Sequence, residues 1–395
     1  MALLCSSMVL SLVSTPVSAA ETGQMLNPQT STESPGSPES ASGNEAAAIL
    51  NGLYAALPVA NGVKEVATAD ELTAALADSN ISGITLKGNV EISSTLTVNR
   101  TVTLDLNGCV LKMTGGGSVI KVASGGNLTI QDSNITTRHN FNPDYKQLAW
   151  HIDMWKLDDS GSETVFGGVI TGGGGDLAHS DGGGVLVNAG GKLTMTGGSI
   201  VGCSARSRGG GVYLGKDSDT GKSGTFIMTS GSIIGCAAQL GGGVYVATGC
   251  TFAMATGSNI HNCIANNEGG GVKNHGTFKM DGGTISACTT VASGGGGVCN
   301  NGTFIMSDGM IKGCTSPDDQ YASGGGVRNS NQFTITGGTI GDPVNPNDAS
   351  SVYNTPSQET TLTISGNAKI YTDITNVGIL NADGGEIAGT MTNDT

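Results

Sequence analysis

Between Thr136 and Phe166 the chain gathers side chains suited to ligand binding: Trp150, His151, Asp153, Trp155, Asp158 and Asp159, with His139 nearby. Indole rings beside carboxylates and an imidazole can hold a sugar ring or a partner protein. These six are the candidate ligand-binding residues. The plainer alternative is a long loop that tucks its aromatics over neighbouring structure. Asp158-Asp159 and Asp318-Asp319 offer paired carboxylates of the kind glycoside hydrolysis uses. Adjacent residues in a strand point to opposite faces, so a sequential pair is not yet a catalytic pair. Asp217-Ser218-Asp219-Thr220-Gly221 begins like a calcium loop but lacks the third acidic ligand and the distal Glu, and reads as a solvated turn. The Gly-Gly-Gly runs lack the Gly-Lys-Ser/Thr of a phosphate loop. No catalytic residue, metal site or cofactor is assigned.

The elements that must position these groups are written in a repeat. Six segments align, at 182–203, 209–236, 241–263, 269–288, 295–314 and 324–342, each opening with Gly-Gly-Gly-Val. A pair two residues apart follows: Leu193/Met195, Phe226/Met228, Phe252/Met254, Phe278/Met280, Phe304/Met306 and Phe333/Ile335. A spacing of two puts both side chains on one face of a strand. An Ile comes five or six residues later, at 200, 233, 260, 285, 311 and 340. Three beyond it stands a Cys, at 203, 236, 263, 288 and 314, and in the sixth repeat Pro343. Each repeat therefore holds three short strands and no helical pattern, which excludes leucine-rich and ankyrin arrays; propeller blades need four antiparallel strands. The expected fold is all-β: a right-handed parallel β-helix solenoid with three short strands per coil. Equivalent residues then stack ~4.8 Å apart, like on like.

That stacking gives two ladders. The five Cys in register read as reduced, small apolar core residues rather than disulfides or a zinc site. Asn274, Asn300 and Asn329, each two residues after the Val, read as an amide ladder. Lys273 and Arg328 share one outward column, two coils apart, without an Asp column beside them.

The flanks complete the organisation. Residues 1–20 read as a signal peptide, with an apolar stretch from Leu3 to Val13 and small residues at Val17-Ser18-Ala19-Ala20. No Lys or Arg precedes the apolar stretch, which points to a start upstream of Met1. Residues 21–62 read as a disordered linker rich in Ser, Pro, Glu, Thr and Gly. The β-helix is expected over 63–395, with an excursion at 136–166, regular coils at 182–342 and looser coils at 343–395. Thr68-Ala69-Asp70-Glu71 reads as a capping box leading into Leu72, Ala75 and Leu76, a short N-terminal helix that covers the open end of the first coil. No polar cap is evident at Thr395, which reads as the edge of a longer protein. The formal charge is −14, from 18 Lys+Arg against 32 Asp+Glu. An acidic surface repels phosphate backbones and anionic lipid, so nucleic acid is not an expected partner. No later stretch has the ~18 apolar residues of a membrane helix.

Gly-Gly-Gly-Val followed by Thr-Phe-x-Met-x-Gly-Gly-x-Ile-x-x-Cys resembles the coil repeat of bacterial surface proteins with a pectin-lyase-like parallel β-helix. It is distantly similar to the repeats of chlamydial polymorphic membrane proteins, with Gly-Gly-Gly-Val where Gly-Gly-Ala-Ile is usual and no Phe-x-x-Asn. The resemblance spans about Val63 to Asn393. It implies a secreted or cell-surface, adhesin-like protein that is non-catalytic and takes a glycan or a host or cell-surface protein as partner. The alternative it implies is a polysaccharide lyase or glycoside hydrolase working near Lys273, Arg328 or the Trp-bearing excursion. Neither reading fixes the oligomeric state.

Overall fold

The computed structural model describes residues 62–143, 147–148, 151–152, 155–174, 181–217, 219–317, 324–348 and 350–393. The expected signal peptide, and the expected linker through residue 61, lie outside the described residues. The chain enters through strand Val63–Val66 and helix α1, Ala69–Ala77. Thr68 caps α1: its hydroxyl accepts from the Glu71 N–H (3.3 Å), while the Glu71 carboxylate accepts from the Ala67 N–H (2.8 Å). Leu72, Ala75 and Leu76 are buried. The guanidinium of Arg100 donates to the carbonyls of Leu76 (2.9 Å) and Ala75 (2.8 Å), which satisfies the end of α1. The expected cap is present.

Beyond α1 the chain is a parallel β-helix, as the repeat dictates. Among the described residues, parallel strands build a 17-strand sheet, an 11-strand sheet and a three-strand strip. The long sheet carries the Phe–Met and Ile columns. Phe226, Phe252, Phe278, Phe304 and Phe333 pair in register. Their ring centroids lie 4.9, 4.9, 4.7 and 4.6 Å apart. The rings follow the interstrand spacing, and all five are buried. Burying one such ring stabilises the fold by about 2–3 kcal/mol. Leu193 and Leu362 flank the five rings, and the column runs on to Leu128 and Val102 on one side and Leu380 on the other.

Glycine sets the corners. Gly283 turns the strand Thr277–Ser286 between the Phe–Met and Ile columns, with a φ of +84°. A Cβ there would meet the Ser258 carbonyl at 2.6 Å. In the Gly-Gly-Gly turn, a Cβ on Gly271 would sit 2.6 Å from the Gly297 carbonyl and 2.9 Å from Ile285 Cγ2. The bare backbone is what lets the turn lie against the Ile column.

Both ladders form, and both reach further than the repeat suggests. Cys203, Cys236, Cys263, Cys288 and Cys314 are buried free thiols. Each lies over the carbonyl of the Ile one coil back, as Cys288 does over Ile260 (3.8 Å). The sixth slot goes to Asn347 rather than the expected Pro343. Its Nδ2 donates to the Ile311 carbonyl (3.0 Å) and its Oδ1 accepts from the Cys314 N–H (3.0 Å). The chain bulges through Asp342–Asn345 to reach that slot, a detour invisible to fixed spacing. The amide ladder continues past Asn329 to Asn354, Asn376 and Asn393, with rungs of 2.7, 2.8, 2.7, 2.7 and 3.0 Å.

The excursion folds as a patch on the outside of the coils. Strand Arg138–Asn142 pairs antiparallel with Lys156–Leu157 and Glu163–Phe166. Phe141, Trp155 and Val165 pack on the outward Val110, Val169, Val201 and Ile234. A Cβ on Gly235, whose φ is +56°, would come 2.4 Å from Trp155 Cδ1 and Cγ. Gly235→Ala combines positive φ with displacement of the indole, and is expected to destabilise the patch by ~2 kcal/mol. The check is a red shift in tryptophan emission and faster proteolysis within 138–166, with the coils unchanged by circular dichroism.

Candidate outward binding strip

The structure redistributes the six residues singled out above. Trp150 and Asp153 lie outside the described residues; His151 sits in the short strand His151–Ile152. Trp155 is 4% exposed, a packing residue under its patch, with the His261 ring edge-on at 6.4 Å. Asp158 closes a turn, accepting from the Ser160 N–H (2.9 Å) and hydroxyl (2.7 Å). The Ser160 hydroxyl, then its N–H, hold the Asp158 carboxyl below the usual range. Asp159 is exposed beside it. Asp318-Asp319 lie outside the described residues.

A different surface brings chemical groups together. The residue before each of the first four Gly-Gly-Gly runs forms one column, Asp181–Arg208–Leu240–Glu268. The residue after each Val forms another, Leu186–Tyr213–Tyr245–Lys273–Cys299–Arg328–Tyr353. The glycine turn is short enough to bring the two columns side by side on the outer face of the 11-strand sheet. Arg208 reaches across: its Nε and Nη2 bind both Asp181 carboxylate oxygens (2.9 and 2.6 Å). Its guanidinium lies over the rings of Tyr213 (5.0 Å) and Tyr245 (5.5 Å). Those rings stack on each other at 5.5 Å, and His275 follows Tyr245 at 5.6 Å. Burial, then the neighbouring Lys273, lower the His275 pKa.

Lys273 and Arg328 require a correction. Their column does face outward, but Lys273 is 1% exposed. Its ammonium donates to Glu268 Oε2 (2.6 Å), Asn301 Oδ1 (2.6 Å) and Cys299 Sγ (3.2 Å), which uses all three hydrogens. Arg328 donates to the other Glu268 oxygen at 3.3 Å. Burial alone would raise the Glu268 carboxyl, but Lys273, then Arg328, outweigh it and the pKa is lowered. Lys273 is thus enclosed by these three partners. Fixed offsets of −1 and +4 from each Gly-Gly-Gly would have located this strip in the sequence. The variety of residue types along both columns hid it.

Two further observations bear on the strip. Among the described residues no helix is long and apolar enough to cross a membrane. No group of three His, Cys, Asp or Glu among them is placed to hold a metal ion. Residues 63–173, the coils that lead into the strip, match a family model described as "Putative pectate lyase-like adhesive domain". No curated protein and no solved structure matches the chain.

Proposed function

We propose, from the likeness of residues 63–173 to a pectate lyase-like adhesive domain, that this chain is a non-catalytic, exported adhesion module. Its binding surface is the outward strip of Arg208, Tyr213 and His275, backed by the buried Tyr245 ring. The supporting observation is that each strip cation already has its carboxylate: Arg208 on Asp181, Lys273 and Arg328 on Glu268. That arrangement fixes a flat aromatic and guanidinium surface in place and leaves no general base among the strip's cations. A preformed, rigid surface of Tyr and Arg suits a glycan or a cell-surface protein. The apolar stretch Leu3–Val13 fits export to the cell exterior, with residues 21–62 as a tether.

The experiment applies purified protein to an array of glycans and to cell layers. Arg208→Ala removes the clamp on both tyrosine rings, and binding is expected to fall at least tenfold with the β-sheet dichroism unchanged. Cleavage of uronic-acid polymers that disappears in Lys273→Ala would overturn this reading in favour of a lyase.

A further inference from the structure

An amine, a carboxamide and a carboxylate from two neighbouring coils converge on one atom. Lys273 Nζ lies 2.6 Å from Glu268 Oε2 and 2.6 Å from Asn301 Oδ1. The strands Val272–Asn274 and Val298–Asn300 pair in register with Lys273 opposite Cys299, so Asn301 stands just past the next rung. The backbone holds it there, its N–H donating to the Asn274 carbonyl (2.7 Å). Glu268 reaches in from across the glycine turn, its second oxygen held by Arg328 (3.3 Å). Lys87, Lys112 and Lys312 instead pair with carboxylates at partly exposed positions. Lys273 is the lysine drawn out of water, at 1% exposure, with an amide carbonyl against its nitrogen.

This arrangement has the parts of an acyl transfer. Burial disfavours the ammonium, and Glu268 is a base within direct reach of one of its protons. A lysine amine freed of that proton is a nucleophile. The Asn301 carbonyl carbon lies one C=O bond beyond the contacted oxygen, within about 4 Å of Nζ and close to a near-attack separation. The Cys299 thiol donates to the same Oδ1 (3.5 Å), where negative charge would collect as the carbonyl is attacked. Asn301 is half-buried, which leaves its amide nitrogen an exit to water.

We infer that Lys273 and Asn301 join in an intramolecular amide bond, with Glu268 as the proton carrier. One Nζ proton passes to Glu268, and rotation about Cε–Nζ turns the freed lone pair to Asn301 Cγ. The Nζ–Cγ bond forms and the Cγ–Nδ2 bond breaks. Nζ gives up two protons in all, one by way of Glu268, and Nδ2 takes both and leaves as ammonium. Glu268 returns to its carboxylate, now facing Arg328. No electrons are gained or lost, so no oxidant is needed. The bond closes a covalent loop over residues 273–301 and staples two successive coils where they carry the strip, which restricts the unfolded chain as a disulfide of that span would. This inference goes beyond the adhesion reading and does not depend on it.

The test is mass spectrometry of the purified full chain, intact and after trypsin. The native protein is expected to weigh one ammonia less than its sequence, and its digest to contain residues 223–279, uncut at Lys273, joined to residues 280–312. Lys273→Arg and Asn301→Ala should each abolish the joined peptide. So should Glu268→Gln, which keeps the shape but is a far weaker proton acceptor. Lys112→Ala, at a surface ion pair, should leave the link intact. The native digest decides the matter even where a variant fails to fold. An unaltered mass with cleavage after Lys273 would overturn the inference. So would an ammonia loss that persists in Lys273→Arg, the mark of a succinimide at Asn301-Gly302, or a loss of water, the mark of a Lys273–Glu268 amide. A link formed undiminished in Glu268→Gln would remove Glu268 from the reaction.

Discussion

Phe278→Ala is expected to lower the unfolding free energy by about 4 kcal/mol, the cost of removing a buried aromatic ring and leaving a cavity. Phe278 sits mid-column, 4.9 Å from the Phe252 ring and 4.7 Å from the Phe304 ring, and is fully buried. The void would therefore open onto rings on both sides, and the backbone rungs above and below are held by their own ladders and cannot collapse into it. Phe278→Leu should cost only about 1–2 kcal/mol, because Leu already occupies this column on both sides of the rings at Leu193 and Leu362. The measurement is guanidinium unfolding followed by circular dichroism. Because solenoid stability is close to a sum over neighbouring coils, hydrogen exchange should show the loss concentrated in the coils carrying 252–306. A uniform loss along the chain would argue against coil-by-coil stacking.

Asn300→Ala is expected to cost about 3 kcal/mol, although only one small side chain is removed. The Asn300 amide donates to Asn329 Oδ1 (2.8 Å) and the Gln332 carbonyl (2.9 Å), and accepts from Asn274 Nδ2 (2.7 Å) and the Gly302 N–H (3.2 Å). Asn300 is fully buried, so truncation strands several polar groups away from water, at about 1–3 kcal/mol for each group left unpaired. Asn300→Asp separates this account from simple packing. It keeps the shape but places a carboxylate against Asn329 Oδ1 and a carbonyl. The folded-state pKa of that Asp must rise above its unfolded value of ~3.9. The sign follows: the unfolded state ionises first, so the penalty grows as pH rises from ~4 and levels off above the folded-state pKa. The variant's deficit relative to the native chain should therefore shrink on acidification, whereas the Asn300→Ala deficit should not.

The sequence made the walls legible and left their exteriors obscure. Phe, Met, Ile and Cys recur at fixed offsets because inward positions must each match the residue one rung away. A single chain then reveals the register that, in another fold, only coordinates would. The ladder residues Asn354, Asn376 and Asn393 escaped notice because no Gly-Gly-Gly-Val marks their coils. Asn347 escaped because a bulge changes the count between Ile340 and the thiol slot. Outward positions face no such matching rule. Trp155 looked like a binding residue by composition, and only the outward Val110, Val201 and Ile234 beneath it show why it is covered. Lys273, named beside the lyase alternative, is held by Glu268, five residues earlier but across the glycine turn. Charge pairing across a turn depends on how tightly the turn folds, which spacing alone does not convey.

The register that carries both the core and the strip can be measured as a distance. Thr194 and Thr334 lie in one column, joined through Ile227, Ala253, Lys279 and Ile305. Spin labels attached there through non-cysteine chemistry should give, by pulsed electron resonance, a single narrow distance near five interstrand steps, ~24 Å. A broad distribution, or a separation well beyond ~35 Å, would mean that successive repeats do not return to the same column, and the strip of tyrosine, arginine and histidine would not exist as a surface.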